Sequence, residues 1–155
     1  MEKLITAAEA VALAFGGEEN FRASEISDAA ILAAQQKFIR PVLGGALCRA
    51  MEQNRQTTLH NTYLKPALAL YIKFLVLPAL AAQVSMAGVV AYIGEGYRSV
   101  DTVTFRRILR RIRSDADALL DSAIDYIESN ATLFPEYDPE QNIRNRVRLE
   151  GGVVL

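Results

Sequence analysis

From Leu68 to Leu77 the chain is apolar on nearly every helical face, with Lys73 the exception. A helix that is apolar all round has no side to give to water, so it must be covered on every side. The run therefore predicts the central helix of a bundle, with Leu70, Phe74, Leu75 and Leu77 inside. The wider stretch Pro66–Ala82 is short for a bilayer span and carries Lys73 and two prolines, so it reads as a core helix, not a membrane helix. Pro66 suits the first turn of a helix, where its missing amide is harmless. Pro78 is expected to end or kink the helix.

A central helix needs partners, and the rest of the chain supplies them. The chain has 155 residues, enough for one domain, and is 51% hydrophobic and 23% charged, a globular composition. Thr6-Ala7-Ala8-Glu9 is a capping box, opening a first helix that runs to about Phe15 and stops at Gly16-Gly17. Residues 16–23 read as a loop. Ser24 or Ser27 caps a second helix with Ile31, Ala34, Phe38 and, on its flank, Ile39 at helical spacing. Pro41 and Gly44-Gly45 punctuate it. A third helical segment runs from Leu43 to about Gln53, and Asn54–Thr57 is a polar connector before Thr58 opens the central region.

Leu80–Ile93 admits two readings, a small hairpin turning at Ala87-Gly88 or a continued helix. Gly94-Glu95-Gly96 is a loop. Ser99 or Asp101 then caps a long last helix to about Ser129. Its seam is Phe105, Leu109, Ile112, Ala116, Leu119, Ala123 and Tyr126, which predicts packing within the subunit more than a coiled coil, because it covers only about three heptads. Phe134–Pro139 is a stiff, proline-set segment. From Asn142 onward Ile143, Asn145, Val147 and Leu149 alternate with charged residues, the period of a strand. Gly151-Gly152 leads to an apolar Val153-Val154-Leu155. The expected fold is mainly α: a single-domain helical bundle over 1–141, a small β-hairpin or more helix within 80–93, and an extended C-terminal arm over 142–155.

Catalytic and metal chemistry needs several donors brought together, and the chain has one His and one Cys. His60 reads as a surface or capping residue, and Cys48 as a small buried apolar one. No nucleophile elbow, zinc-protease motif, phosphate loop or dinucleotide fingerprint occurs. No catalytic, metal or cofactor residue is therefore assigned, and the expectation is a protein that is not an enzyme. A single cysteine supports no internal disulfide, and Met1–Ile5 lacks the layout of a signal peptide. Both point to the cytoplasm.

The charge order on the last helix is unusual. Arg106, Arg110 and Arg113 share one stripe, widened by Arg107 and Arg111, and Asp117, Asp121, Asp125 and Glu128 continue it. Cations precede anions, against the helix macrodipole, and like charges stand four apart, which costs a few tenths of a kcal/mol per pair. Arg111 with Asp115 and Arg113 with Asp117 give partial relief. One reading is a solvated face. The other is a two-signed contact surface, completed by the apolar tail residues Val147, Leu149, Val153, Val154 and Leu155.

The run Ala33–Gly44, with the form A-x-x-x-F-I-x-P-x-L-G, resembles a segment in a family of phage and prophage proteins. Lys65–Ala69, Leu77-Pro78, Ala87–Val90, Tyr126–Asn130 and Phe134–Tyr137 are similar to that family's middle and end. The family is in turn similar to the small helical head–tail connector, or head-completion, proteins of tailed phages. That resemblance implies a virion structural protein forming a homo-oligomeric ring against the portal or neighbouring connector proteins, in the host cytoplasm and then the virion. It implies no membrane, and nucleic acid only as DNA passing the lumen. The alternative is a nucleic-acid-binding module using the arginines of the last helix. Against it stand a net charge of −1, the adjacent acidic stripe and the lack of interleaved aromatics.

Overall fold

The protein, described by a computed structural model, is placed over residues 2–17, 21–53, 55–83, 90–93, 96–99 and 101–145, with side chains described outside 81–100. Among the described residues the α-helices are α1 (Ala7–Ala14), α2 (Asp28–Ala34), α3 (Arg40–Glu52), α4 (Lys65–Gln83) and α5 (Thr102–Ser129). Helix α4 packs against α5, α1 and α2 and sits at the centre, as the apolar run predicts. Two four-residue stretches, β1 (Val90–Ile93) and β2 (Gly96–Ser99), pair antiparallel with Tyr92 opposite Tyr97. The expected turn at Ala87-Gly88 lies outside the described residues. The architecture is mainly helical.

The first helix forms as its capping box dictates. The Glu9 amide donates to the Thr6 hydroxyl at 3.2 Å, and the Glu9 carboxylate accepts from the Thr6 amide at 2.8 Å. Lys65 of α4 reaches the same carboxylate at 2.6 Å. That ammonium, with the Thr6 hydrogen bonds, outweighs desolvation and holds the Glu9 carboxyl down at about 2. Lys73, the one charge in the apolar run, donates to the Ala14 carbonyl at the end of α1 and lies over the Phe15 ring. Burial lowers its pKa. Ser27, one of the two expected caps, accepts from the Ala30 amide and starts α2, while Ser24 lies in a short 3₁₀ turn.

The prolines behave differently from expectation. Pro66 lies in the first turn of α4, as expected, but the helical rod runs into it without a break, and Pro41 does not break the second. A π-helical turn precedes each, at Gln35–Ile39 and Leu59–Leu64. The amides of Arg40 and Lys65, each just before a proline, bond back five residues to Gln35 and His60. The wider turn loosens the ladder where the proline ring would crowd it, so the rod continues. The break falls instead at Gly44, whose φ of 78° only glycine adopts cheaply. Pro78 does not end α4, which runs on to Gln83.

The central helix is also not covered on all sides. Leu64, Ala67, Leu68, Ala69, Tyr71, Ile72 and Val76 are buried, but Leu70, Phe74, Leu75 and Leu77 are only half-buried. By length and composition Leu59–Leu80 is apolar enough to cross a membrane. In this fold one face packs into the bundle, and the flank carrying Phe74 and Leu77 is incompletely covered.

The tail corrects a second expectation. Residues 143–145 are helical, not extended. Asn142 is fully buried; its side chain donates to the Tyr137 hydroxyl and accepts from the Arg144 amide, which caps the turn. Period-two alternation is also met by one helical turn this short, and the buried cap decides between them. The body therefore extends through Asn145, past the boundary expected at 141. Residues 146–155 lie outside the described residues.

Candidate interaction site

Helix α5 carries the charge order, and its two ends sit in different surroundings. Asp101 caps it, accepting from the Val103 and Thr104 amides, both at 2.9 Å. The buried residues all fall in the second half: Ala116, Leu120, Ala123, Ile124 and Ile127. Ala116 and Ala123 hold their expected places in the seam, while two of its seven positions are displaced by one residue. Leu119 and Tyr126 are half-buried at its edge, while Leu120 and Ile127 take the centre. Phe105, Leu109 and Ile112 of the first half are only half-buried, and Val103 and Ile108 are exposed.

Where the halves meet, a polar cluster closes on itself. Tyr71 of α4 donates to Asp117 at 2.6 Å, and Arg113 Nε donates to the other carboxylate oxygen at 2.9 Å. Arg144 comes in from the C-terminal segment. It donates to both Asp117 and Asp121, to the Asp117 carbonyl at 3.2 Å, and to the Tyr71 hydroxyl at 3.2 Å. Two arginines and two aspartates make the cluster neutral. Desolvation raises the Asp117 carboxyl, but the hydrogen bonds from Tyr71 and Arg113 and the two guanidinium charges outweigh it, and the net shift is downward. Tyr71 is pushed up, first by burial and then by its bond to Asp117. Arg113 is held from above as well: Phe38 stacks on Tyr71 at 4.3 Å, and the guanidinium lies 4.4 Å from the Phe38 ring centre and 5.9 Å from that of Phe74.

Two clefts flank this cluster. One, of about 550 Å³, is lined by Lys37, Phe38, Pro41, Val42 and Ile143 around the Arg144 pocket. The other, of about 490 Å³, is lined by Phe74 and Leu109 and by Arg106, Arg110, Arg113, Ser114 and Asp117.

A family model for a family of unknown function, DUF6712, matches residues 25–147, from before α2 to beyond Arg144. The chain belongs to DUF6712. No curated protein and no solved structure matches it significantly. The DUF6712 span contains every member of the Tyr71–Arg113–Asp117–Asp121–Arg144 cluster and leaves α1 outside.

The charged residues expected in one surface separate into three groups in this DUF6712 chain. Arg106, Arg107 and Arg110 are exposed and make no ion pair among the described residues, while Arg111, 86% exposed, approaches Asp115 only to 3.9 Å. Arg113, Asp117 and Asp121 are committed to the cluster. Asp125 and Glu128 are exposed at the far end. Val147, Leu149, Val153, Val154 and Leu155 lie outside the described residues. The anchors missed from sequence are Tyr71, Phe38 and Arg144. Tyr71 was hidden in an apolar run, and Arg144 in an alternating tail; neither spacing signals a partner.

The lone histidine and cysteine have structural surroundings. His60 Nε2 is hydrogen-bonded to the Leu4 carbonyl and ties the N-terminal segment to the central rod. Cys48 is buried, and that burial pushes its thiol up to about 11, away from thiolate chemistry. Among the described residues no group of three or more His, Cys, Asp or Glu side chains is placed to hold a metal.

Proposed function

We propose that this chain is a non-enzymatic assembly protein, a subunit of a head–tail connector ring in a tailed-phage virion. The observation that carries the reading is the first half of α5. It projects a half-covered apolar seam and the exposed Arg106, Arg107 and Arg110, which make no ion pair among the described residues. A surface with apolar floor, charged rim and no internal partner has the composition of a protein contact. The order of motifs that resembles phage connector proteins names the assembly. The partners are copies of the chain, with portal or neighbouring connector proteins above and below, in the host cytoplasm and then the particle. Residues 146–155 act as an arm whose alternating Val147 and Leu149 pair with a neighbour's sheet edge, with Arg144 as its anchor on the body.

Electron microscopy of the full chain and mass spectrometry of particles from the producing cell test this. Rings, and a stoichiometric presence in tailed particles, are the expected outcome. A chain absent from particles and monomeric beside portal protein would end the reading. Truncation after Asn145 keeps the Arg144 anchor, so it is expected to leave the body folded and remove assembly.

The second reading is nucleic-acid binding, favoured by the same exposed Arg106, Arg107, Arg110 and Arg111. Binding to duplex DNA that weakens steeply with salt, with no self-association, would support it.

A further inference from the structure

The cleft beside Arg113 is lined by Phe74 and Leu109, both half-buried, by Arg106 and Arg110, which make no ion pair among the described residues, and by Asp117, whose charge Arg113 and Arg144 neutralise. The opposite end of the same helix shows the reverse. Asp125 and Glu128 are exposed, and Leu133, just past the helix end, is 56% exposed. Asp117 and Asp121 are not available to an outside arginine, because Arg144 and Arg113 already occupy them. An apolar cleft lined with cations at one end thus has its complement at the other, in an exposed apolar knob, Leu133, and exposed anions.

We propose that the cleft receives this knob from a second copy of the chain. Leu133 enters between Phe74 and Leu109, and Asp125 and Glu128 meet Arg106 and Arg110. The two patches cannot meet within one molecule. They lie near opposite ends of a 28-residue helix, which at 1.5 Å per residue is about 42 Å long. The contact is therefore heterologous: each copy gives a cleft to one neighbour and a knob to the other. Such contacts propagate in one direction and close into a ring when the rotation between copies divides a full turn. Deep burial of the arginine rim is not required, so the contact weakens as salt screens it. This names the interface of the assembly reading above and rests on it.

Sedimentation velocity of the full chain, across protein concentration and at low and high salt, tests the contact with two variants. Arg106→Glu/Arg110→Glu spoils the cleft, and Leu133→Asp spoils the knob. All three positions are exposed, and unchanged circular dichroism and melting check that both variants fold. Each variant alone is expected to associate at least tenfold more weakly than the parent. Mixed, they are expected to form a one-to-one dimer that grows no further, because the first keeps its knob and the second its cleft. Higher salt is expected to weaken the parent's association. A parent that assembles while both variants assemble equally well overturns this interface and leaves the assembly reading standing. Variants that fail alone and still fail when mixed overturn the heterologous geometry. A parent that stays monomeric at every concentration overturns the contact between copies. If that monomer instead binds duplex DNA or an acidic protein through the arginines, the cleft belongs to that occupant.

Discussion

From Thr102 to Asp115 α5 has no buried residue, whereas from Ala116 to Ser129 it has five. The seam repeats at the same spacing through both halves, and both carry a charged stripe. In the second half the seam lies on α4 and the rod before it, and Asp117 and Asp121 are taken up by Tyr71, Arg113 and Arg144. In the first half the seam is half-open, and all its arginines but Arg113 are exposed to solvent. Periodicity reports that a helix has an apolar face; it does not report whether the cover comes from the same chain. The contrast is what gives the first half its functional reading.

The largest expected effects should fall in the second half. Leu120→Ala removes a fully buried side chain and should cost about 3 kcal/mol, as large-to-small core changes do. Leu109→Ala, half-buried in the first half, should cost under about 1 kcal/mol. Denaturant titration of both variants checks the difference. Equal losses would mean that the halves are packed alike and the comparison fails.

At the boundary the cluster should behave as one unit. Asp117→Ala leaves Tyr71, Arg113 and Arg144 without their shared acceptor. It should cost about 2 kcal/mol, the scale for partly buried hydrogen bonds to a charged group. Arg144→Ala in the Asp117→Ala background should then cost much less than alone, because contacting partners are not additive. Additive losses would show that Arg144 is not held through Asp117.

Much of this was legible in the sequence, and the failures share one cause. The capping box at Thr6 and the stop at Gly16-Gly17 are local signals, satisfied within a few residues, and can be read directly; Ser27 and Asp101 are each one of two candidate caps in the sequence, and the structure chooses between them. The π-helical turns before Pro41 and Pro66 were not, because each is a helical rod's accommodation to a proline and leaves no residue pattern of its own. The seam of α5 slipped because Leu119 and Leu120 are adjacent and both fit a four-three repeat; only the position of α4 chooses between them. In the sequence Arg144 reads as part of an extended tail, because nothing near it reveals Tyr71, more than seventy residues earlier. Local chemistry is written locally, while the cluster at the centre of the site exists only in three dimensions.

A smaller effect should appear in acid. The carboxyls of Glu9 and Asp117 are both depressed in the folded chain, Glu9 to about 2. Their ordinary values lie near 4. The folded state therefore holds these protons more weakly than the unfolded one, and the stability they contribute is complete above about pH 4.5. It is lost progressively as the pH falls towards 2. Glu9 is 40% exposed, so solvent screening keeps its own share to about 1 kcal/mol or less. Melting temperatures across this window, for the parent and Glu9→Gln, should converge at the acid end. A gap that persists at pH 2 would show that Glu9 acts through packing instead of charge.

The smallest effect should have the opposite sign. Arg107 is exposed, makes no ion pair among the described residues and stands four residues before Arg111. The pair repels, and both cations sit in the half of the helix whose dipole favours anions. Arg107→Glu would replace repulsion by attraction in the better orientation, with the acid N-terminal to the arginine. It would also place a negative charge near the positive end of the helix. The isolated chain should gain about 0.3–0.5 kcal/mol, a rise in melting temperature of about 1–3 °C for a domain of this size. In the second half the corresponding reversal, Asp121→Arg, should destabilise, because Arg144 would lose a partner and gain a repulsive neighbour. Opposite signs from two charge reversals on one stripe would separate a half that serves the fold from a half whose charges run against it. If Arg107→Glu also lowers stability, the arginine row has an intramolecular role, and the outward half of α5 is part of the subunit's own structure.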